Sequence, residues 1–170
     1  MEINDIRFRP PVAEDGAALN ELVTRCPPLD PNSVYCNLLQ CTDFADTSIA
    51  ADDNGRLIGF ASGYRPPARP DTLFVWQVAL DEQYRGRGIA KAMLVHLFER
   101  LQTQGVCCLE TTISPGNRAS EKLFRSLFRT LNLSCQTRLL FGRDRHFGGR
   151  HDDEVLYRAE PVITQETNSD

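Results

Sequence analysis

Two groups of residues in this 170-residue chain have the types and spacing to do chemistry. The first is Arg85-Gly86-Arg87-Gly88-Ile89-Ala90, inside a run over residues 76–94 that reads as apolar strand, short polar connection, turn and amphipathic helix. Without side chains at Gly86 and Gly88 the backbone can curl and aim several N–H groups one way, and the helix that follows adds its positive dipole end. Such a turn suits a phosphate, and Arg85 and Arg87 put full charges at its rim. The second group is acidic: Asp30 ahead of Pro31, Glu110 in an otherwise apolar run, and His151-Asp152-Asp153-Glu154 near the end. Carboxylates can hold ammonium groups or take protons from them. Each also has a plainer reading. Asp30 with Pro31 makes a good helix cap and first turn, Glu110 is a base acting through water or simply faces solvent, and the 151–154 run can be a solvated turn before the last strand.

Composition narrows the field. With 19 basic against 23 acidic residues the formal charge is −4, which argues against a nucleic-acid surface as the main partner. No apolar run reaches the length of a signal peptide core or of a membrane span, so a cytoplasmic protein without a membrane partner is expected. The six cysteines, 26, 36, 41, 107, 108 and 135, form no CxxC pair, and three histidines are too few and too scattered for a metal centre. Free thiols in a reducing compartment and no metal are therefore expected, with Cys107 and Cys108 pointing to opposite faces of a strand. The length fits one domain over residues 1–160, followed by a flexible tail over 161–170.

The elements that must position these groups follow from periodicity. Alternation at Ile6 and Phe8 predicts a first strand, and residues 13–25 a helix burying Ala17, Leu19, Leu22 and Val23. A short helix capped at Asp30 is expected to use Val34, Leu38 and Leu39 as its apolar side. Residues 47–51 and 57–64 flank Asp53-Asn54-Gly55 as a hairpin, and the proline-rich stretch 65–71 is a surface loop. Residues 73–80 read as a strand carrying Trp76, whose face the pattern leaves open. In the helix after the turn Ala90, Met93, Leu94, Leu97 and Leu101 repeat at helical spacing as its apolar side, and it ends at Gly105. A strand over 106–113, a break at 114–117 and a helix bearing Ala119, Leu123, Leu127, Phe128 and Leu131 complete a crossover unit, which implies parallel strands. Residues 134–141 and 154–159 read as the last strands, joined by an Arg/Gly loop.

Three phosphate motifs compete for the central turn. A dinucleotide fingerprint fails where Lys91 stands in place of its third glycine, and the Walker pattern is absent. What remains is [RQ]xxGx[GA], met by Arg85, Gly88 and Ala90. With Asn117-Arg118-Ala119-Ser120 leading into Leu123-Phe124, residues 72–128 resemble the GCN5-related N-acetyltransferase (GNAT) superfamily. The resemblance implies a mixed α/β fold, its central twisted sheet of about six or seven strands flanked by helices and splayed at the acetyl-CoA site. It also implies that residues 85–90 cradle the cofactor's pyrophosphate, that backbone groups near Val78 and Leu80 pair with the pantetheine arm, and that Asn117 contacts the cofactor. Many members carry a tyrosine at the position of Phe124 to protonate the leaving thiolate. Phenylalanine cannot do so, leaving water, another residue or unassisted departure.

The outer segments resemble one branch of that superfamily, the diaminobutyrate acetyltransferases of ectoine biosynthesis. CPPLDPNSVYCNLLQCTDF, GFASGYRPPARPDTLFVWQVAL, LETTISPGNRASEKLF and GGRHDDEVLYR carry the likeness over most of the chain. The branch implies acetyl transfer to the 4-amino group of L-2,4-diaminobutyrate in a ternary complex, and a homodimer. It implies an acceptor pocket lined by Asp30, Tyr35, Trp76, His151 and Glu154; independently, the two ammonium groups of a diamino acid call for acids, which Asp30, Glu154, Asp152 and Asp153 can supply. Trp76 covers the ammonium by cation–π contact or walls the channel, and Glu154, His151 or a water chain takes the proton. Cys107 and Cys108 lack an identifiable histidine partner, so no acylated cysteine is expected. Two rival readings stand beside this one: transfer to another small amine or a peptide N-terminus, and a non-catalytic acyl-CoA sensor.

Overall fold

The computed structural model describes residues 6–162. In chain order these form β1 (Arg7–Arg9), α1 (Asp15–Thr24), α2 (Val34–Cys41), β2 (Ile49–Asp53), β3 (Arg56–Tyr64), β4 (Thr72–Leu80), α3 (Ile89–Gln102), β5 (Cys108–Ile113), α4 (Arg118–Thr130), β6 (Leu133–Phe141), α5 (Arg143–Phe147) and β7 (Glu154–Pro161). One seven-stranded sheet runs β1-β2-β3-β4-β5-β7-β6, every neighbouring pair antiparallel except β4 with β5. That one parallel pair is the crossover expected from strand, helix and strand in sequence.

Side chains on the two faces of the sheet enter two separate cores. In β2, Ile49 and Ala51 join the core beneath α3 and α4, whereas Ala50 joins the one beneath α1. β3 divides Ala61 from Phe60 in the same way, as a two-residue side-chain period requires. Met93, Leu94, Leu97 and Leu101 of α3 are wholly buried, as predicted. The β2–β3 turn is also as read: Asn54 and Gly55 both have positive φ, 52° and 85°, as a tight two-residue hairpin turn demands.

Several local expectations are corrected. Ser33, not Asp30, caps α2, its hydroxyl accepting from the Cys36 N–H at 3.1 Å. The buried residues of α2 are Asn37, Gln40 and Cys41; of the expected apolar side Val34 is exposed, while Leu38 and Leu39 are half-buried, Leu38 lying against α1 at Gly16. A chain of carboxamides fills the buried side, with Asn20 Nδ2 donating to Asn37 Oδ1 and Asn37 Nδ2 to Gln40 Oε1, so buried polar groups there satisfy one another. Ala17 is exposed and Gly16 takes the buried place, pressed against Leu38. Cys107 and Cys108 do not diverge. Cys107 precedes the strand, and the two Sγ atoms lie 3.6 Å apart near Asp71. Burial pushes the Cys108 thiol up to about 12, so it is protonated at neutral pH, a poor nucleophile or metal ligand. All six cysteines are free. Pro161, assigned to the tail, ends β7 opposite Leu133, while residues 163–170 lie outside the described residues. The Arg/Gly loop contains α5, a five-residue helix that its glycines hid.

Glu110 is neither a solvent-facing acid nor a free base. It is 2% exposed and held by two guanidiniums, Arg69 Nη2 at 2.8 Å and Arg158 Nη1 at 2.6 Å. A lone buried carboxylate would be strongly destabilising, and the two arginines offset that. They also tie the 65–71 loop to β7 across the start of β5.

Candidate functional site

The sheet opens at one point, and register shows why. β4 and β5 pair from Thr72↔Cys108 to Val75↔Thr111 and no further. On the opposite edge of β4 the register with β3 slips at the same place, Gly63 facing Val75 and Ser62 facing Gln77, so Trp76 is the unpaired residue of a bulge. Gly63 is required there, because a Cβ would meet the Phe74 carbonyl oxygen at 2.8 Å and the Thr47 carbonyl oxygen at 3.0 Å. A bulge bends a strand and increases its twist. From Trp76 onward β4 therefore leaves β5, the last link being the Thr111 hydroxyl donating to the Val75 carbonyl at 3.0 Å. The bulge also explains why the face of Trp76 could not be read, since parity breaks at that residue.

A cleft of about 1570 Å3 lies between the parted strands. One small ligand occupies about 300–1,000 Å3, so this volume holds two. Its walls come from both ends of the sequence. Asp30 and Asn32 arrive from the α1–α2 segment, Trp76 to Val78 from β4, Thr112 to Asn117 from the end of β5, and His151, Asp152 and Glu154 from the loop before β7. Trp76 is 55% exposed, an indole standing in the cleft rather than in either core.

Glu154 is the most anchored acid in the cleft. Its Oε1 accepts from the Ser114 hydroxyl at 2.9 Å and lies 3.9 Å from His151 Nε2. His151 Nδ1 is 2.8 Å from the Asp152 carbonyl oxygen; a carbonyl can only accept, so Nδ1 carries hydrogen and Nε2, facing Glu154, is the titrating nitrogen. That hydrogen bond raises the His151 pKa above 6.5, and the negative charges of Glu154, Asp30 and Asp152 add to it against some desolvation. The His151 ring stacks 4.7 Å from Phe147 of α5, so the helix absent from the sequence prediction positions the imidazole. Asp153 is diverted from the cleft, capping α5 through the Arg143 N–H at 2.6 Å. Tyr35 is 71% exposed on α2 and is not brought into the cleft wall.

The Arg/Gly turn has the predicted backbone. Gly86 and Gly88 take left-handed φ of 77° and 78°, and Gly88 caps α3 with no side-chain hydrogen bond. Among the described residues, the N–H groups of Gly88, Ile89, Ala90 and Lys91 donate to no protein acceptor, the first helical bond being Ala92 N–H to Gly88. Free donors at a helix N-terminus form an anion site. The arginines behave differently from expectation. Arg85 turns back so that Nε donates to the Leu80 carbonyl at 3.2 Å, and Arg87 lies 5.5 Å over the Tyr84 ring. Arg85 thus braces the turn, and the Leu80 carbonyl is already used. Val78 and Asn117 line the cleft, but residues 85–90 lie outside its wall. Asn117 Oδ1 caps α4 through the Ser120 N–H, leaving its amide nitrogen for a ligand. Phe124 is 3% exposed beside Phe128. Sequence reasoning passed over Ser114, Asn32 and Gln77, since single polar residues in a break or a strand carry no pattern.

The model of the acetyltransferase (GNAT) family matches residues 17–128. L-2,4-diaminobutyric acid acetyltransferase of Methylotuvimicrobium alcaliphilum is 47% identical over 156 residues, covering 92% of this chain and 91% of its own. The same-named protein of Halomonas elongata is 41% identical, covering 97% and 86%. Among solved structures, diaminobutyrate acetyltransferase from Paenibacillus lautus, in complex with its substrate L-2,4-diaminobutyric acid and coenzyme A, superposes with TM-score 0.86 at 38% identity, covering 94% of this chain and 96% of that one. The ribosomal-protein-S18-alanine N-acetyltransferase of Escherichia coli, 18% identical with TM-score 0.66, shares the fold.

Proposed function

The chain belongs to the acetyltransferase (GNAT) family, and from that premise we propose that it transfers the acetyl group of acetyl-CoA to the 4-amino group of L-2,4-diaminobutyrate. The product is N4-acetyl-L-2,4-diaminobutyrate, in ectoine biosynthesis. The observation that carries this reading is the joining of one cofactor-sized opening at the β4 bulge to an acidic end formed by Asp30, Asp152 and Glu154. A diamino acid brings two ammonium groups to such a place, and proteins named for that substrate are 47% and 38% identical over nine-tenths of the chain.

In the proposed mechanism the pyrophosphate of acetyl-CoA sits on the free N–H groups of residues 88–91, Arg87 supplies charge, and the pantetheine arm follows the unpaired edge of β4 near Val78 toward Asn117. Asp30 holds one ammonium and Trp76 walls the other. The attacking ammonium, with a pKa near 10 in water, first loses a proton to Glu154, which His151 passes on to solvent. The amine nitrogen then bonds to the thioester carbon, backbone donors of the splayed strand face the oxyanion, and the carbon–sulfur bond breaks. The acylated nitrogen gives up its remaining excess proton through water to the departing thiolate, Phe124 having none to give, which leaves the neutral amide and the free thiol. The six free thiols suit a cytoplasmic enzyme. Exposed Leu139 and Phe141 on the edge strand β6 suit a homodimer.

Mass spectrometry of the product formed from acetyl-CoA and L-2,4-diaminobutyrate tests the reading, with the acetyl expected on N4. No turnover of diaminobutyrate, with ornithine, lysine or a peptide preferred, would overturn it. A pH profile tests the relay. Protonated His151 cannot receive a proton, so kcat should fall on the acid side with a midpoint above 6.5, in line with its raised pKa. His151→Asn should remove that limb.

A further inference from the structure

Asp30 lies in a segment without regular secondary structure between α1 and α2, so no backbone ladder fixes it. Among the described residues its carboxylate accepts no hydrogen bond, while its charge reaches His151 across the cleft. One side chain of β4 ties the segment to the sheet. Gln77 Nε2 donates to the Asp30 carbonyl at 3.2 Å, and Gln77 Oε1 accepts from Asn32 Nδ2 at 3.1 Å. A single carboxamide thus clamps the backbone at 30 and the side chain at 32.

The clamp is backed from behind. Asn20 Nδ2 donates to the Asn32 carbonyl at 2.8 Å and to Asn37 Oδ1 at 2.9 Å, and Asn37, wholly buried, donates to Gln40 Oε1 at 3.1 Å. Five carboxamides in series connect α1, α2 and the 30–32 segment to β4, one residue past the bulge. Its Asn37–Gln40 end is buried, where an unpaired carboxamide is costly, and the bonds grow more exposed toward Gln77 at the cleft.

We infer that Gln77 is a positioning residue that fixes Asp30 as the ammonium-binding group of the acceptor end, so that the clamp sets affinity for the diamino acid. This rests on the proposed acetylation of diaminobutyrate. Gln77 acts through Asp30 and does not itself take part in the chemistry.

Steady-state kinetics of wild type, Gln77→Met, Asp30→Asn and the double variant tests it. Gln77→Met conserves volume and removes both hydrogen bonds, so the KM for L-2,4-diaminobutyrate should rise about tenfold while kcat and the acetyl-CoA KM stay at wild-type values. In the Asp30→Asn background the same change should add nothing, since residues acting through one contact are not additive. Asn32→Ser removes one of the two clamp bonds from the loop side and should raise the same KM by a smaller factor, which keeps the test open if Gln77→Met folds poorly. Additive effects in the cycle, an equal rise in both KM values, or an unmoved diaminobutyrate KM would overturn the positioning role. Wild-type protein that binds acetyl-CoA without acetylating diaminobutyrate would instead overturn the functional reading beneath it.

Discussion

Glu154→Gln should lower kcat with L-2,4-diaminobutyrate about a hundredfold or more, leaving the acetyl-CoA KM near wild type. The substitution is nearly isosteric, and glutamine Oε1 can still accept from the Ser114 hydroxyl that now binds the carboxylate at 2.9 Å. The end of β5 and the start of β7 should therefore stay in place, and with them the cleft. What disappears is the negative charge and basicity of the carboxylate whose Oε1 lies 3.9 Å from His151 Nε2. An amine that arrives as ammonium has no lone pair, so the fraction ready to attack falls with the loss of its proton acceptor. Raising the pH should restore part of the rate in the variant, because bulk base then prepares the amine. Turnover equal to wild type would remove Glu154 from the mechanism and leave water as the acceptor. Ser114→Ala, which frees the carboxylate without neutralising it, should give a far smaller loss.

The parts legible in the sequence are those whose signal is local and periodic. The crossover from β4 through α3 to β5, the Asn-Gly hairpin and the buried stripe of Met93, Leu94, Leu97 and Leu101 all follow from spacing, because each is settled by neighbours within two turns of chain. The glycine turn is legible for a related reason, since left-handed φ at two alternate positions leaves little choice of residue. Long-range pairing leaves no such trace. Whether Glu110 faces water depends on Arg69 and Arg158, 41 and 48 positions away. The backbone of Asp30 is held by Gln77, 47 positions on, and the real cap of the helix is three residues later than the Asp-Pro pair suggested. Trp76 shows the limit most sharply. A period-two reading presupposes an unbroken ladder, and the bulge that opens the site breaks it at that residue.

The cofactor turn supports the other large effect, a rise in the acetyl-CoA KM of about a hundredfold or more in Gly88→Glu. Two separate physical changes contribute. Gly88 sits at φ 78°, which an L side chain adopts only with strain of about 1–2 kcal/mol, and the new carboxylate would stand at the end of α3, where the free N–H groups await an anion. Gly88→Asn separates them, since asparagine accepts the left-handed conformation readily and carries no charge. A small loss in Gly88→Asn beside a large one in Gly88→Glu identifies an anion site. Equal losses, with equal falls in melting temperature, would make the turn a structural hinge and leave the pyrophosphate to another part of the surface. Gly86→Asp adds an independent check, because nothing lies within 4 Å of a Cβ at that position. A side chain there meets open space but takes the same left-handed φ of 77°, so affinity lost in Gly86→Asp and kept in Gly86→Asn, which shares that conformation without the charge, comes from charge placed against the phosphates.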